Sequence, residues 1–197
     1  MNDFLKDTEA ELPVRYAKGF DTPYWIDHFK KVNGWIYEIA KEIEGDVLSV
    51  GAGNDDDKQG GLYSKYFIKC SSYTPSDIRH YRRFRNMILD ARNMESIASN
   101  RYDAIFCNGV IEHIDDFHSA ISEMTRVLCP GGILLINFPF NTQFHSIPID
   151  YWRFTITAVH YLLDKDYIFK DCFLTLLFHK SFFRELSLLF HFLLFVL

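Results

Sequence analysis

From residue 47 to residue 140 the sequence repeats one pattern: a short apolar run ends abruptly in glycine, asparagine or an acid, and a more polar stretch follows. The runs are Val47–Val50, ahead of Gly51-Ala52-Gly53; "SSYTPSDI", ending near Asp77; "NMILDA", ending near Asp90; "YDAIFCNGV", over 102–110; and "ILLINFPF", after "CPGG". Between and around them lie segments of helical period. Trp25, Ile26, Phe29, Val32, Ile36, Ile39, Ala40 and Ile43 share one face of a helix predicted over 22–44, with Thr22 and Pro23 suited to its start and Gly45 to its end. Phe117, Ala120, Ile121, Met124, Val127 and Leu128 line a second helix over 116–128, opened by Asp115 or Asp116. Thr155 caps a shorter third, and a β-rich tail starts near Tyr167. Strands alternating with helices predict a mainly parallel sheet covered on both faces, an α/β fold.

Ligands of such sheets bind outside the carboxyl ends of the strands, where the strand order reverses, so the residues that follow each strand are the informative ones. Gly51 and Gly53 allow a sharp turn and a close backbone approach. A dinucleotide fingerprint would continue to a third glycine, but Asp56 stands there and sets negative charge beside any pyrophosphate. The turn therefore favours a ligand without phosphates, with a plain tight turn as the alternative. Asp77 can accept both hydroxyls of a ribose, or cap the next segment. Asp90 can accept from an adenine amino group, although aspartate is common at strand ends anyway. Asn108, Glu112 and His113 follow the fourth strand and lie over the sheet edge.

The totals narrow the function class. A net charge of −5 argues against a general nucleic-acid binder. Against it stands one short basic run, "RHYRRFR", read as a solvated face. Cys70, Cys107, Cys129 and Cys172 show no metal-ligand spacing and read as reduced, mostly buried thiols. With a charged N-terminus that does not resemble a signal peptide, they predict a cytoplasmic protein. No metal site is expected. The run from Leu186 to Leu197 has no charged residue but is too short for a membrane span. It reads as a final strand or helix, with a peripheral membrane contact, a homodimer face or a truncated end as alternatives.

Taken together, "VLSVGAG", "YTPSDI", "ILDARNM", "YDAIFCNGVIEHIDD", "EMTRVLCPGGILLINFPF" and "DYWRFT" resemble the class I S-adenosylmethionine-dependent methyltransferases, most closely the small-molecule, type 11-like subgroup. The resemblance covers about residues 46–160. It implies a Rossmann-like methyltransferase fold with an antiparallel C-terminal strand, and a single domain over 1–197. In that reading 1–45 form an N-terminal helical cap, 46–140 the cofactor-binding core, and 141–197 the acceptor loop and C-terminal elements.

It also implies roles. S-adenosyl-L-methionine is the cofactor. Gly51, Ala52 and Gly53 pass under its methionine part, Asp77 holds the ribose, Asp90 and Ala91 bracket the adenine, and Asn108 faces the sulfonium. His113 is the candidate catalytic base. "FHSIPIDYWRFT" resembles a segment of sugar-modifying methyltransferases, which makes His145, Asp150, Tyr151, Trp152 and Arg153 candidate contacts for a small-molecule acceptor. The sequence departs from the family pattern at Ser49, where an acid is usual, and at Asp55, where glycine is usual. "NDDDKQGGLY" delays the first core helix to about Leu62. These departures support the competing reading, a methyltransferase-like scaffold without turnover.

Overall fold

The computed structural model describes residues 23–81, 85–140, 144, 149–163, 166–178 and 186–196. Helix α1 (Pro23–Ala40) leads into strand β1 (Gly45–Val50). Strands β2 (Cys70–Asp77), β3 (Met87–Ile88) and β4 (Tyr102–Cys107) follow, then α2 (Phe117–Val127), β5 (Leu128–Pro139), α3 (Ile156–Leu163), β6 (Ile168–Phe178) and β7 (Leu186–Val196). One seven-stranded sheet runs in the order β3-β2-β1-β4-β5-β7-β6. Strands β1 to β5 are mutually parallel. Strand β7 lies antiparallel to both β5 and β6. The order reverses between β1 and β4, and that switch point opens a crevice at their carboxyl ends.

Alternation along the strands explains the two-sided core. Val47, Ala104, Phe106 and Leu135 face Val32, Ile36 and Ala40 of α1, together with Tyr63 and Phe67. Leu48, Val50, Ile105, Leu134 and Ile136 face Ala120, Met124 and Val127 of α2 and Val159 and Leu163 of α3. Each such side chain gains about 1.5–3 kcal/mol from leaving water, and this drives both layers onto the sheet. The starts of α2 and α3 are capped. Asp116 Oδ1 accepts from Ser119 N at 3.1 Å, and Thr155 Oγ1 from Ala158 N at 3.1 Å.

Three local expectations need correction. Helix α1 stops at Ala40, four residues early, and Gly45 opens β1 at φ +80° instead of closing the helix. "CPGG" does not separate α2 from β5: the strand begins at Leu128, and the irregularity is absorbed as a register shift between Tyr102 and Ala104. No α-helix starts at Leu62. The β1–β2 connection contains a single 3₁₀ turn, Tyr63–Lys65. Tyr63 and Phe67 instead lay their rings directly on Phe106, with centroids 5.2 and 5.5 Å away. Those aromatic rings cover the sheet where a helix would otherwise lie.

Candidate active site

The site is built from the ends of β1, β2 and β4. Gly51 and Gly53 have φ of +67° and +56°. At Gly51 the requirement is double, because a methyl group there would meet Val110 Cγ2 at 2.3 Å. At Gly53 a methyl would touch only Tyr81 among the described residues, 3.9 Å from Cζ. The turn is pinned from β2: Ala52 N donates to Ser76 O at 2.8 Å, and Gly53 N to Asp77 Oδ2 at 3.1 Å. Asp77, buried at the strand end, also accepts from Arg79 N at 3.0 Å through Oδ1. The predicted ribose acid and the predicted glycine turn are therefore brought into contact.

The aspartates after the turn have separate fates. Asp55 is buried, at φ +60°, and accepts from Ser64 N at 2.9 Å and from the Tyr73 hydroxyl at 2.9 Å. Burial nevertheless raises its carboxyl above the ordinary value; Ser64 and Tyr73 oppose this rise and Asp57 adds to it. Asp57 accepts from Gln59 N, Gly61 N and the Tyr66 hydroxyl, each at 2.8 Å. Asp56 is exposed; its Oδ1 accepts from Lys58 N at 2.7 Å and its Oδ2 lies 3.8 Å from Lys58 Nζ. Asp55 and Asp57 thus hold the loop together by accepting its backbone N–H groups, as caps do for a helix. Both carboxylates are engaged within the loop.

Beyond β3, Asp90 is shared with Arg92: Nη2 lies 2.7 Å from Oδ2 and Nε 3.0 Å from Oδ1. The same guanidinium reaches Asp115 at 2.8 Å, tying the β3 end to the approach to α2. Ala91 is buried in the core beside it. Asn108 follows β4 half-buried, and the Tyr63 hydroxyl, which donates to Asn33 Oδ1 at 3.0 Å, also neighbours it.

His113 sits on a 3₁₀ turn, Ile111–His113, and its Nδ1 lies 2.6 Å from Ile149 O. A carbonyl only accepts, so Nδ1 carries the proton and the neutral ring keeps its lone pair on Nε2. Burial lowers the His113 pKa from its ordinary value, with Ile149 O and Asp150 pulling it back up. Nε2 is 3.9 Å from Oε1 of buried Glu112. The segment after β5 is fastened onto this turn. Tyr151 N donates to Glu112 O at 2.8 Å and Trp152 Nε1 to Ile114 O at 2.8 Å. The Asp150 side chain, fully buried, pairs with Arg153, whose Nη2 lies 2.6 Å from Oδ2. Tyr151 and Trp152 keep 45% and 37% of their surface exposed. His145 lies outside the described residues.

Two residues that the sequence reading passed over also line this edge. Tyr81, inside the supposedly solvated basic run, is half-buried against Gly53. It is positioned by Asn86, whose Oδ1 accepts from Tyr81 N at 3.1 Å. Asn137, near the end of β5, is buried at 1% exposure. An asparagine inside "ILLINFPF" was the available signal for the second; nothing in the run "RHYRRFR" marked the first. Among the described residues no cluster suits a metal ion, and no helix is long and apolar enough to cross a membrane.

Comparison with known proteins agrees with this geometry. A family model described as a methyltransferase domain matches residues 63–136. No curated protein matches the sequence significantly. Among solved structures, the CurJ carbon methyltransferase superposes with a TM-score of 0.59 at 16% identity, over 89% of this chain and 55% of that one, so this chain spans about half its length. The N-methyltransferase NodS from Bradyrhizobium japonicum, in complex with S-adenosyl-L-homocysteine, gives 0.62 at 12% identity, over 89% and 88%. A Burkholderia thailandensis 1,6-didemethyltoxoflavin-N1-methyltransferase gives 0.60 at 16%, over 94% and 90%. At these identities the likeness establishes the fold. The matched methyltransferase domain lies across the same sheet, whose glycine turn stands at the β1–β4 switch point.

Proposed function

We propose that this enzyme transfers a methyl group from S-adenosylmethionine to an oxygen or nitrogen of a small acceptor, of the sugar or sugar-nucleotide class found in surface-polysaccharide pathways. The observation that carries the reading is His113, fixed by Ile149 O in the tautomer that leaves Nε2 basic, on a turn beside the strand ends. The exposed surfaces of Tyr151 and Trp152 support a sugar, because aromatic faces suit sugar rings, while the buried Asp150 carboxylate holds Arg153 beside them. Two of the neighbours are named as N-methyltransferases, which supports nitrogen as an acceptor atom.

When bound, S-adenosylmethionine supplies an activated methyl on a positively charged sulfur. The residues present fit it. Gly51 and Gly53 let the backbone approach the ligand, and beside Gly53 stands the ring of Tyr81, 3.9 Å from where a methyl would lie. Asp77 already accepts hydrogen bonds at the β2 end and would exchange them for ribose hydroxyls, with Ala91 and the Arg92-held Asp90 at the adenine side. No carboxylate of the loop needs to leave its partners. The chain's remaining task is alignment of the acceptor, which supplies most of the rate in a transfer that disperses charge. His113 Nε2 takes the proton from a hydroxyl or a protonated nitrogen. The 1–45, 46–140 and 141–197 segments serve as cap, cofactor core and acceptor region of one domain.

Calorimetry with S-adenosylhomocysteine, followed by a labelled-methyl screen over sugar nucleotides, phosphorylated sugars and small phenols, tests this. Binding with transfer to a sugar-class acceptor is expected. Binding with transfer only to phenols would overturn the acceptor class. No binding would overturn the enzyme reading in favour of a scaffold.

A further inference from the structure

Asn137 Oδ1 is a fully buried side-chain oxygen with no hydrogen-bond partner. Such an orphan costs about 1–3 kcal/mol of desolvation, so it calls for a physical reason. Its position supplies one. Val50, Cys107 and Ile136 stand in one row across β1, β4 and β5. The next residue on each chain is Gly51, Asn108 and Asn137, and alternation turns these three to the α1 side of the sheet at its carboxyl edge. Neighbouring strands are about 4.8 Å apart, which puts Asn137 one strand from Asn108 and two from the glycine turn. On the same side Tyr63 bonds Asn33 and neighbours Asn108. The edge of the sheet therefore carries a polar row, and its last member has an unfilled acceptor.

We infer that Asn137 is a further cofactor-binding residue, its carboxamide oxygen accepting a hydrogen bond from the amino group of the cofactor's methionine part. This rests on the proposed cofactor passing over Gly51 toward Asn108. The ribose hydroxyls and the adenine amino group have Asp77 and Asp90 in that reading, whereas the ammonium brings three N–H donors that still need acceptors. The sulfonium itself donates nothing. Asn137 thereby extends the methionine subsite from β1 and β4 onto β5.

The test is calorimetry and thermal denaturation of Asn137→Leu, with S-adenosylhomocysteine and 5′-methylthioadenosine as probes. The second probe has the nucleoside and the sulfur but no amino acid. In the variant, S-adenosylhomocysteine should bind about tenfold or more weakly, as for loss of a hydrogen bond to a charged group. Methylthioadenosine affinity should be unchanged, and the ligand-free Tm should hold or rise because an apolar group replaces the orphan. Asn137→Asp, which keeps an acceptor, should retain S-adenosylhomocysteine binding and gives the answer if the leucine variant does not fold. Equal weakening of both probes, or undiminished S-adenosylhomocysteine binding by the leucine variant, overturns the assignment. A wild-type protein that binds neither probe overturns the cofactor reading beneath it.

Discussion

Asp55 shows how a single departure from a family pattern can be structural. Its φ of +60° is a conformation that, after glycine, asparagine and aspartate tolerate best. Its carboxylate holds Ser64 N and the Tyr73 hydroxyl, yet burial raises its pKa. The folded pKa is above the unfolded one, so folding takes up a proton. The stability linked to this group is fully present below the ordinary carboxylate pKa and is lost as pH rises through the raised value. Asp55→Asn keeps the left-handed backbone and an acceptor for Ser64, and can point its NH2 at the Tyr73 oxygen. It should match or exceed the wild-type Tm at neutral pH and lose that pH dependence, whereas Asp55→Ala should cost about 2 kcal/mol or more. Thermal denaturation across the acidic range separates them. His113 carries the opposite sign. Its lowered pKa keeps the ring neutral into mild acid. The acid limb of kcat/KM should therefore fall below about 6.5, the unperturbed histidine value. His113→Gln should reduce turnover about 100-fold or more and remove that limb. Turnover preserved in the variant would assign His113 to positioning alone.

At the scale of elements, the notable substitution is a loop for a helix between β1 and β2. Beside its own aspartates, α1 helps to hold it. Asn33, 3% exposed, donates to Asp57 O at 2.7 Å and to Gln59 Oε1 at 2.9 Å, and accepts from Tyr63. Asn33→Ala would strand a buried carbonyl and a buried hydroxyl. It should lower the unfolding free energy by about 2–4 kcal/mol in urea with an unchanged slope. An effect below half a kilocalorie would mean that the loop holds itself. This pairing also marks where the sequence stops being readable. Strand and helix placement followed from periodicity, because Val47 and Leu48 or Ala120 and Met124 must face a core wherever the chain goes. The turn acids and His113 were readable from their place after each strand. Asn33 and Asn137 were not, since a polar residue inside an apolar period looks like noise until the fold supplies its neighbours. Tyr81 was hidden by the charges around it. The early end of α1 and the start of β5 were set by register across strands, which no local window contains.

At the scale of the whole molecule, the site belongs to no single segment. β1 contributes the glycine turn, β2 the acid bonded to it, β4 the histidine turn, and the stretch after β5 the groups laced onto that turn. These parts meet only in the folded chain, so a cofactor that bridges them binds the native state and not the unfolded one. Folding and binding are then linked by mass action. A ligand at a hundred times its Kd adds about 2.7 kcal/mol, which in a domain of this size raises Tm by roughly 5–10 °C. S-adenosylhomocysteine should produce that rise in the wild type. Asp77→Ala removes the acceptor for Gly53 N and Arg79 N and should lower the ligand-free Tm. The more telling quantity is the increment. In the variant the ligand-induced rise should shrink to a small fraction of the wild-type value even at high ligand concentration, because in the proposed complex the lost carboxylate would hold the ribose as well as bracket the turn. A variant that starts lower but gains the full increment would make Asp77 a bracket only, and would move the ribose contact to another residue of the same edge.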